Sequence, residues 1–346
     1  MVSGKRIVGG REAGEDEFPF VANIQYTHDR RPIQCVGTIV HNQVVIVPAF
    51  CVVHPDTHQP VDHRDLVVGY GSAERSKQRH ARVVKIAVNH EFMPKEMTSD
   101  IALLQVESLD LTTSSVQRIP VYTGSIHAGQ RLEVVGWGND KPTGGEWTER
   151  LRTTSVVISD SDQCRRSRNY NGVEGRVLCT ENKLNPGHDL CDGEFGASLI
   201  AKVDGQFQLF GTYSYHIDLS PEGYNQCAKD SSLAFYTHIY SYIGYIAATA
   251  GVSVDSFTAR TNDRPDHISN SKAVNVWLIA LRVVLALIPT IGIVVWAMMR
   301  FRHRQQAQNR QWQGNTYELA PRSAATSDSD TDGLHGPRAE VLDITL

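Results

Sequence analysis

The feature of this sequence that most limits its fold is a series of short apolar runs between residues 7 and 250, separated by turn-forming residues. The runs are rich in valine, isoleucine and aromatic residues, which favour β-strands. Runs at this spacing predict an all-β sandwich or barrel. The clearest are FVANIQY, QCVGTIVHNQVVIV, DLVVGYG, ARVVKIAVN, DIALLQV, RLEVVGWG, TTSVVIS and FQLFGTYSY.

One helix is predicted at the end of this β-rich region. In the segment HIYSYIGYIAATAG, Ile239, Ile243, Ile246 and Ala247 recur at helical spacing, and Gly251 follows as a stop signal. We therefore expect a terminal helix that packs on the β-domain.

The amino-acid composition of the chain changes after residue 250. Residues 251–272 are polar and predict a stalk. Residues 273–299 are almost entirely apolar, and Arg282 is their one charge. If Arg282 reaches an interface, the apolar run Val283–Met299 covers about 25 Å as a helix, which suffices for a bilayer core. A single transmembrane helix over 273–299 is therefore predicted, with a buried core helix as the alternative.

Charges and cysteines predict the orientation of this span. The basic motif RFRHR begins at Arg300, and such a flank faces the cytosol. All six cysteines lie between Cys35 and Cys227, and disulfides form on the exoplasmic side. The β-domain is thus expected to be extracellular or lumenal. Residues 300–346 are polar and contain the acidic cluster SDSDTD, so they predict a disordered cytoplasmic tail.

The start of the chain bears on its export, and its overall charge bears on nucleic-acid binding. Residues 1–6, MVSGKR, lack the apolar region of a signal peptide, so we expect that the true start lies upstream or that these residues are a pro-peptide remnant. The formal net charge is −4, and no basic excess points to nucleic acid. No nucleotide-binding glycine motif is present either, and we expect no cofactor.

Six motifs follow one another across about 240 residues: RIVGG (6–10), QCVGTIVHNQVVIVPAFCV (34–52), SDIALLQV (99–106), GWG (136–138), CDGEFGASL (191–199) and FYTHIYSYIGYI (235–246). In this order they resemble the motifs of the chymotrypsin/trypsin family of serine proteases (peptidase S1). The resemblance implies two six-stranded antiparallel barrels with the active site in the cleft between them.

This resemblance locates a catalytic triad in which two members are replaced. Such enzymes use a serine nucleophile, a histidine base and a buried aspartate that orients the histidine. Asp100 matches the aspartate, but Phe50 stands at the histidine position and Phe195 at the serine position. A phenyl ring has no atom that attacks a carbonyl group or accepts a proton. The sequence therefore predicts an inactive protease homologue.

A relocated triad is the alternative, and the sequence disfavours it. Ser198 lies three residues beyond the turn and should point elsewhere, and His41 and His54 flank the wrong positions. Retention of Asp100 has a structural explanation. The resemblance implies that Ser214, on a neighbouring strand, donates a hydrogen bond to this buried carboxylate, and a buried carboxylate must keep its partners.

The resemblance also implies the remains of a substrate site. Gly193 and the backbone N–H of residue 195 match an oxyanion hole. Asp189 matches the carboxylate that holds an arginine or lysine side chain, although a solvated loop acid is the alternative. His216 and Ala234 replace pocket-lining glycines, and both changes narrow the pocket.

The junction before IVGG resembles an activation site. In the family, cleavage after the residue that corresponds to Arg6 frees the α-amino group of the next residue, here Ile7, to pair with the acid before the serine. That acid is Glu194 here instead of aspartate, and its extra methylene would shift a buried ion pair. Either the bond is cut or the junction is inherited and stays intact.

The cysteines match three disulfides of the family, and an even count permits them. The implied pairs are Cys35–Cys51, Cys164–Cys179 and Cys191–Cys227. We expect no metal site, because no CxxC or Cys/His pair has ligand spacing.

Three functions are compatible with this sequence. The favoured one is a membrane-anchored pseudoprotease that binds a protein or peptide ligand in the former active-site cleft. An active trypsin-like serine endopeptidase is the first alternative. The second is a receptor-like adaptor that works through its tail, around NTYELAP, SDSDTD or the terminal ITL.

Overall fold

The computed structural model divides the chain into two units, Met1–Asp263 and Arg264–Leu346. It describes residues 10–28, 31–138, 147–186, 190, 194–219, 231–259, 296, 298–302 and 304. All strands in these residues belong to the first unit, and the all-β class is confirmed. They are β1 (Arg11–Glu12), β2 (Val21–His28), β3 (Arg31–His41), β4 (Val44–Val47), β5 (Val67–Tyr70), β6 (Arg79–Val88), β7 (Ala102–Val106), β8 (Arg131–Gly136), β9 (Arg152–Val157), β10 (Val177–Glu181), β11 (Ser198–Val203), β12 (Gln206–Asp218) and β13 (Ser232–His238).

The first barrel closes from six antiparallel strands in the order β2-β3-β4-β7-β6-β5. Strand β4 pairs with β3 on one side and β7 on the other, and all four of its residues are buried. Strand β6 shows the expected alternation at its start, because Ala81 and Val83 are buried while Arg82 and Val84 are exposed. This barrel matches the prediction.

The second half of the domain is a sheet of seven strands in the order β1-β9-β8-β11-β12-β13-β10. Just after β9, Ile158 forms an isolated bridge with Thr180 of β10, and the N–H of Ser159 donates to the carbonyl of Cys179 at 2.9 Å. This half, which we call the second barrel, differs from the predicted six-stranded barrel by one strand. The two-residue strand β1 adds to the β9 edge, where Arg11 pairs with Thr153.

Two of the three expected disulfides lie in the described residues. Cys35–Cys51 joins β3 to the 3₁₀ turn Ala49–Val52, and Cys164–Cys179 joins the turn Cys164–Arg166 to β10. Both match the predicted pairs. The cysteines of the third pair, Cys191–Cys227, lie outside the described residues.

The predicted terminal helix is present as α1 (Ile243–Ala250), preceded by the 3₁₀ turn Ile239–Tyr242. It ends at Gly251, whose φ of 70° is the left-handed conformation that glycine adopts at helix ends.

The packed domain continues beyond residue 250, where the sequence predicts that the stalk begins. Phe257 is fully buried, and its carbonyl accepts the N–H of Val121 at 2.7 Å. The next residue, Thr258, forms an isolated parallel bridge with Val121. Phe257 therefore belongs to the core, and the chain stays packed on the β-domain at least as far as Thr258.

No helix within the described residues is both long and apolar enough to cross a bilayer. Residues 260–295, which hold most of the predicted stalk and span, lie outside the described residues, as do residues 305–346 of the predicted tail.

Candidate functional site

Two aromatic rings meet where the resemblance places the catalytic base and the nucleophile. Phe50 lies in the 3₁₀ turn that follows β4, and Phe195 lies in the turn that leads into β11. Their ring centroids are 5.0 Å apart, with the planes tilted by 46°. Phe50 is 40% exposed, whereas Phe195 is partly buried and packs against hydrophobic clusters of both barrels.

Asp100, just before β7, is buried, with 1% of its surface exposed. Its Oδ1 accepts the backbone N–H of Phe50 at 2.8 Å, and its Oδ2 accepts the hydroxyl of Ser214 at 2.5 Å. Its backbone carbonyl accepts the hydroxyl of Thr237 at 2.9 Å. Ser214 lies on β12 and Thr237 on β13, so the aspartate connects the first barrel to the second sheet.

The electrostatics of Asp100 follow from this burial. Desolvation raises the pKa of Asp100 to about 6, although the hydrogen bonds from Ser214 and from the backbones of Phe50 and Ala49 oppose the shift. The carboxyl group therefore has structural partners on both oxygens without any histidine at position 50.

The turn around Phe195 keeps a tight backbone geometry. The carbonyl of Phe195 accepts the N–H of Val36 at 2.8 Å, and the N–H of Gly196 donates to the carbonyl of Tyr213 at 2.8 Å. Gly196 has a φ of +88°, and a Cβ there would lie 1.9 Å from the carbonyl oxygen of Val36. Glycine is therefore required at this position.

Tyr213 is a site residue that the sequence analysis did not single out. Its ring is fully buried and stacks on Phe195 at 6.0 Å, and it meets the ring of Tyr236 edge-on at 5.8 Å. Its hydroxyl oxygen lies 3.0 Å from Nδ1 of His216. His216 and Ala234 are cross-strand partners on β12 and β13. In the sequence, the tyrosine directly before Ser214 in the motif TYSYH was the signal that could have indicated this residue.

The side chains considered as replacements make contacts elsewhere. Ser198 is buried, and its Oγ lies 2.7 Å from Oγ1 of Thr38 across the junction of the barrels. The ring of His41 lies 6.0 Å from that of Phe257. Nδ1 of His54 accepts the N–H of Asp56 at 3.3 Å.

The remaining predicted site residues divide into two groups. Glu194 is fully buried, and its backbone carbonyl accepts the N–H of Ala197 at 2.9 Å. The others lie outside the described residues: Arg6, Ile7, Asp189 and Gly193. Their roles in activation, substrate binding and the oxyanion hole stay predictions.

Sequence comparison finds relatives of this chain among known proteins. Human (Homo sapiens) azurocidin is 28% identical over 199 residues, which are 57% of this chain and 72% of that protein. Trypsin epsilon of Drosophila erecta is 28% identical over 199 residues, 57% of this chain and 73% of that protein. Transmembrane protease serine 11E of Mus musculus is 25% identical over 251 residues, which cover 71% of this chain but only 55% of that relative's length.

The model of the family described as Trypsin matches residues 7–246, which is more than half of the 346-residue chain. The matched range spans both barrels, the turn at Phe195 and the start of α1. The chain therefore belongs to the trypsin family.

Proposed function

We propose that this protein is a membrane-anchored member of the trypsin family that lacks peptidase activity and binds a protein or peptide in the former active-site cleft. The observation that carries the proposal is the contact of Phe50 with Phe195, 5.0 Å between ring centroids, beside Asp100. Both positions at which the family's reaction requires a reactive side chain are occupied by hydrocarbon rings.

Peptide hydrolysis needs the nucleophile and its base to act as one unit. Losing either of them in a serine protease lowers kcat by about 10⁶-fold, and losing the second adds little. Asp100 offers no substitute, because its two carboxylate oxygens already accept hydrogen bonds from Phe50 and Ser214.

Binding a ligand in the same cleft requires contact surface and needs neither a nucleophile nor a base. Exposed aromatic side chains supply large contact areas and are enriched among the residues that dominate binding energy. The exposed ring of Phe50 rests on the partly buried ring of Phe195, which contacts the hydrophobic clusters of both barrels. This arrangement supports a rigid aromatic anchor for a ligand.

Membrane anchoring rests on the apolar run 273–299 and on likeness to a relative named a transmembrane protease. The described helical residues at the end of this run carry exposed Trp296, and the guanidinium of Arg300 lies 4.5 Å from its ring centroid. Tryptophan and arginine are typical of the cytoplasmic boundary of a span. Protease protection on intact cells tests the topology: a tag after Leu346 should be shielded and one near Ile7 digested, and the reverse result would contradict it.

The activity test uses the full-length chain in detergent micelles, cleaved after Arg6, with fluorogenic peptides that contain arginine or lysine. We expect no hydrolysis above that of buffer. The single variants Phe50→His and Phe195→Ser should also be inactive, because each restores only one member of the unit. Turnover by the unmodified chain that a trypsin inhibitor blocks and that Asp189→Ala removes would establish an active endopeptidase instead.

A further inference from the structure

A cavity of about 190 Å³ lies beside the exposed ring of Phe50. Its apolar and aromatic wall is formed by Tyr26, Ile33, Phe50, Val53, Pro55 and Pro94. An apolar cavity of about 150 Å³ in another protein holds a benzene molecule. The space beside Phe50 is therefore large enough for one aromatic or branched aliphatic side chain.

The positive charge on this wall comes from Lys95. His58 and Lys95 complete the lining, and both side chains are exposed to solvent. Among the described residues, the acidic neighbours Asp56 and Glu96 on the same loops do not line the cavity. A ligand that fills the apolar space therefore meets a basic rim, which favours a carboxylate close to the inserted side chain.

Backbone hydrogen bonds brace the two loops that bear this rim, residues 53–60 and 93–99. In one loop, the backbone N–H of His54 donates to the carbonyl of Gln59 at 2.7 Å, and that of His58 donates to the carbonyl of His54 at 2.8 Å. In the other, the N–H of Met93 donates to the carbonyl of Thr98 at 3.3 Å. A binding surface that is already ordered loses less conformational entropy when the ligand binds.

Backbone strain is concentrated in the same two loops. Left-handed φ angles are unfavourable for residues other than glycine. Four described residues of this kind have them, and three lie in these loops: His58 at 55°, Met97 at 52° and Ser99 at 49°. Strain of this kind persists where the surrounding structure enforces it, and it is common at ligand-binding sites.

We infer that this cavity binds a segment of a partner protein that inserts an aromatic or branched apolar side chain beside Phe50 and places an aspartate or glutamate against Lys95 and His58. The inference rests on the proposed binding function and names the chemistry of its ligand. It places the ligand's anchor on the first barrel, on the Phe50 side of the cleft.

The test pans a phage-displayed library of short random peptides against the full-length chain in detergent micelles. We expect enriched peptides to share an aromatic or branched apolar residue next to an acidic one. Lys95→Glu should weaken their binding about tenfold, because it turns an attraction into a repulsion. Phe50→Ala should weaken it about thirtyfold. Lys85→Glu, which makes the same charge change on exposed residue 85 of β6, is the matched control and should leave binding unchanged.

The outcomes separate this inference from the proposed function. Peptides that bind equally well to Lys95→Glu, enrichment of basic peptides, or no enrichment at all would overturn the cavity assignment. Binding that depends on His216 but not on Phe50 or Lys95 would overturn it too and leave a binding cleft with a different anchor. Cleavage of the bound peptides would instead overturn the proposed function.

Discussion

The aromatic residues on the two sides of the cleft differ in how deeply they are buried. On the second-barrel side, Tyr213 is fully buried and packs between Phe195 and Tyr236. On the first-barrel side, Phe50 is 40% exposed and borders an open cavity. One side is part of the core, and the other faces solvent.

If the proposed binding function is correct, this difference in burial separates residues that stabilise the fold from residues that contact a ligand. A buried aromatic ring stabilises a fold through the area and contacts that it removes from water. An exposed ring contributes less to the stability of the fold, and its surface is accessible to the ligand of the proposed function. Substitutions on the Tyr213 side should therefore change the free energy of unfolding, and substitutions on the Phe50 side should change binding.

The largest effect is expected for Tyr213→Ala. Truncation of a fully buried aromatic side chain leaves a cavity, and the expected loss of unfolding free energy is about 3–5 kcal/mol. Denaturant unfolding of the full-length chain measures it. Tyr213→Phe keeps the ring and loses only the hydroxyl near His216, so its cost should be about 1 kcal/mol. Equal costs for the two variants would contradict a core role for the ring.

Removing either described disulfide should cost about 3 kcal/mol, because the two pairs close loops of similar length, with sequence separations of 16 and 15 residues. Their effects on ligand binding should differ. The paired change of Cys35 and Cys51 to alanine frees the turn that carries Phe50, whereas the same change at Cys164 and Cys179 does not. Equal losses of peptide affinity in the two double variants would contradict the assignment of binding to the Phe50 side of the cleft.

The carboxyl group of Asp100 should make stability depend on pH. Its folded pKa of about 6 lies above its usual value of 3.8, so between these values the folded state binds more protons than the unfolded state. Stability should fall as pH rises from about 4 to about 6, by about 2–3 kcal/mol, and then level off. The free energy of unfolding of the unmodified chain minus that of Asp100→Asn, measured across this pH range, isolates this effect. A difference that does not change with pH would contradict the raised pKa.

The smallest effect on stability is expected for Phe50→Ala. Because this side chain is 40% exposed, its truncation should cost about 1 kcal/mol or less. Denaturant unfolding again measures the cost. A value as large as that of Tyr213→Ala would mean that the Phe50 side is also part of the core, and the comparison would fail.

Within the described residues, the apolar runs of the sequence indicated nine of the thirteen strands, β2–β9 and β12, and local periodicity indicated the terminal helix. Two disulfides followed from the order of the family motifs. Strands β1, β10, β11 and β13 lie outside those runs. The sequence also indicated Phe50, Phe195, Asp100 and Ser214, which the fold brings together. The packing of Tyr213 was missed because strand β12 has a register shift between Tyr213 and Tyr215, and simple alternation does not show which way a side chain points at such a shift.

The cavity beside Phe50 could not be predicted from the sequence either. Its wall combines β2, β3, the turn after β4 and two separate loops, and these segments meet only in the folded chain. The second sheet was predicted as a six-stranded barrel because nothing in the short segment Arg11–Glu12 indicates that it adds a seventh strand.

Gly196 shows which position of the Phe195 turn the architecture itself requires to be glycine. The backbone of the Phe195 turn joins the two barrels, and a side chain at position 196 would collide with the carbonyl of Val36. At position 195 the fold holds a phenylalanine ring against the rings of Phe50 and Tyr213. The backbone geometry of the joint thus requires glycine at position 196, whereas the family's reaction would require a nucleophilic side chain at position 195. A match to the family model across this turn therefore reports the architecture of the joint, and the chemistry at position 195 needs its own test.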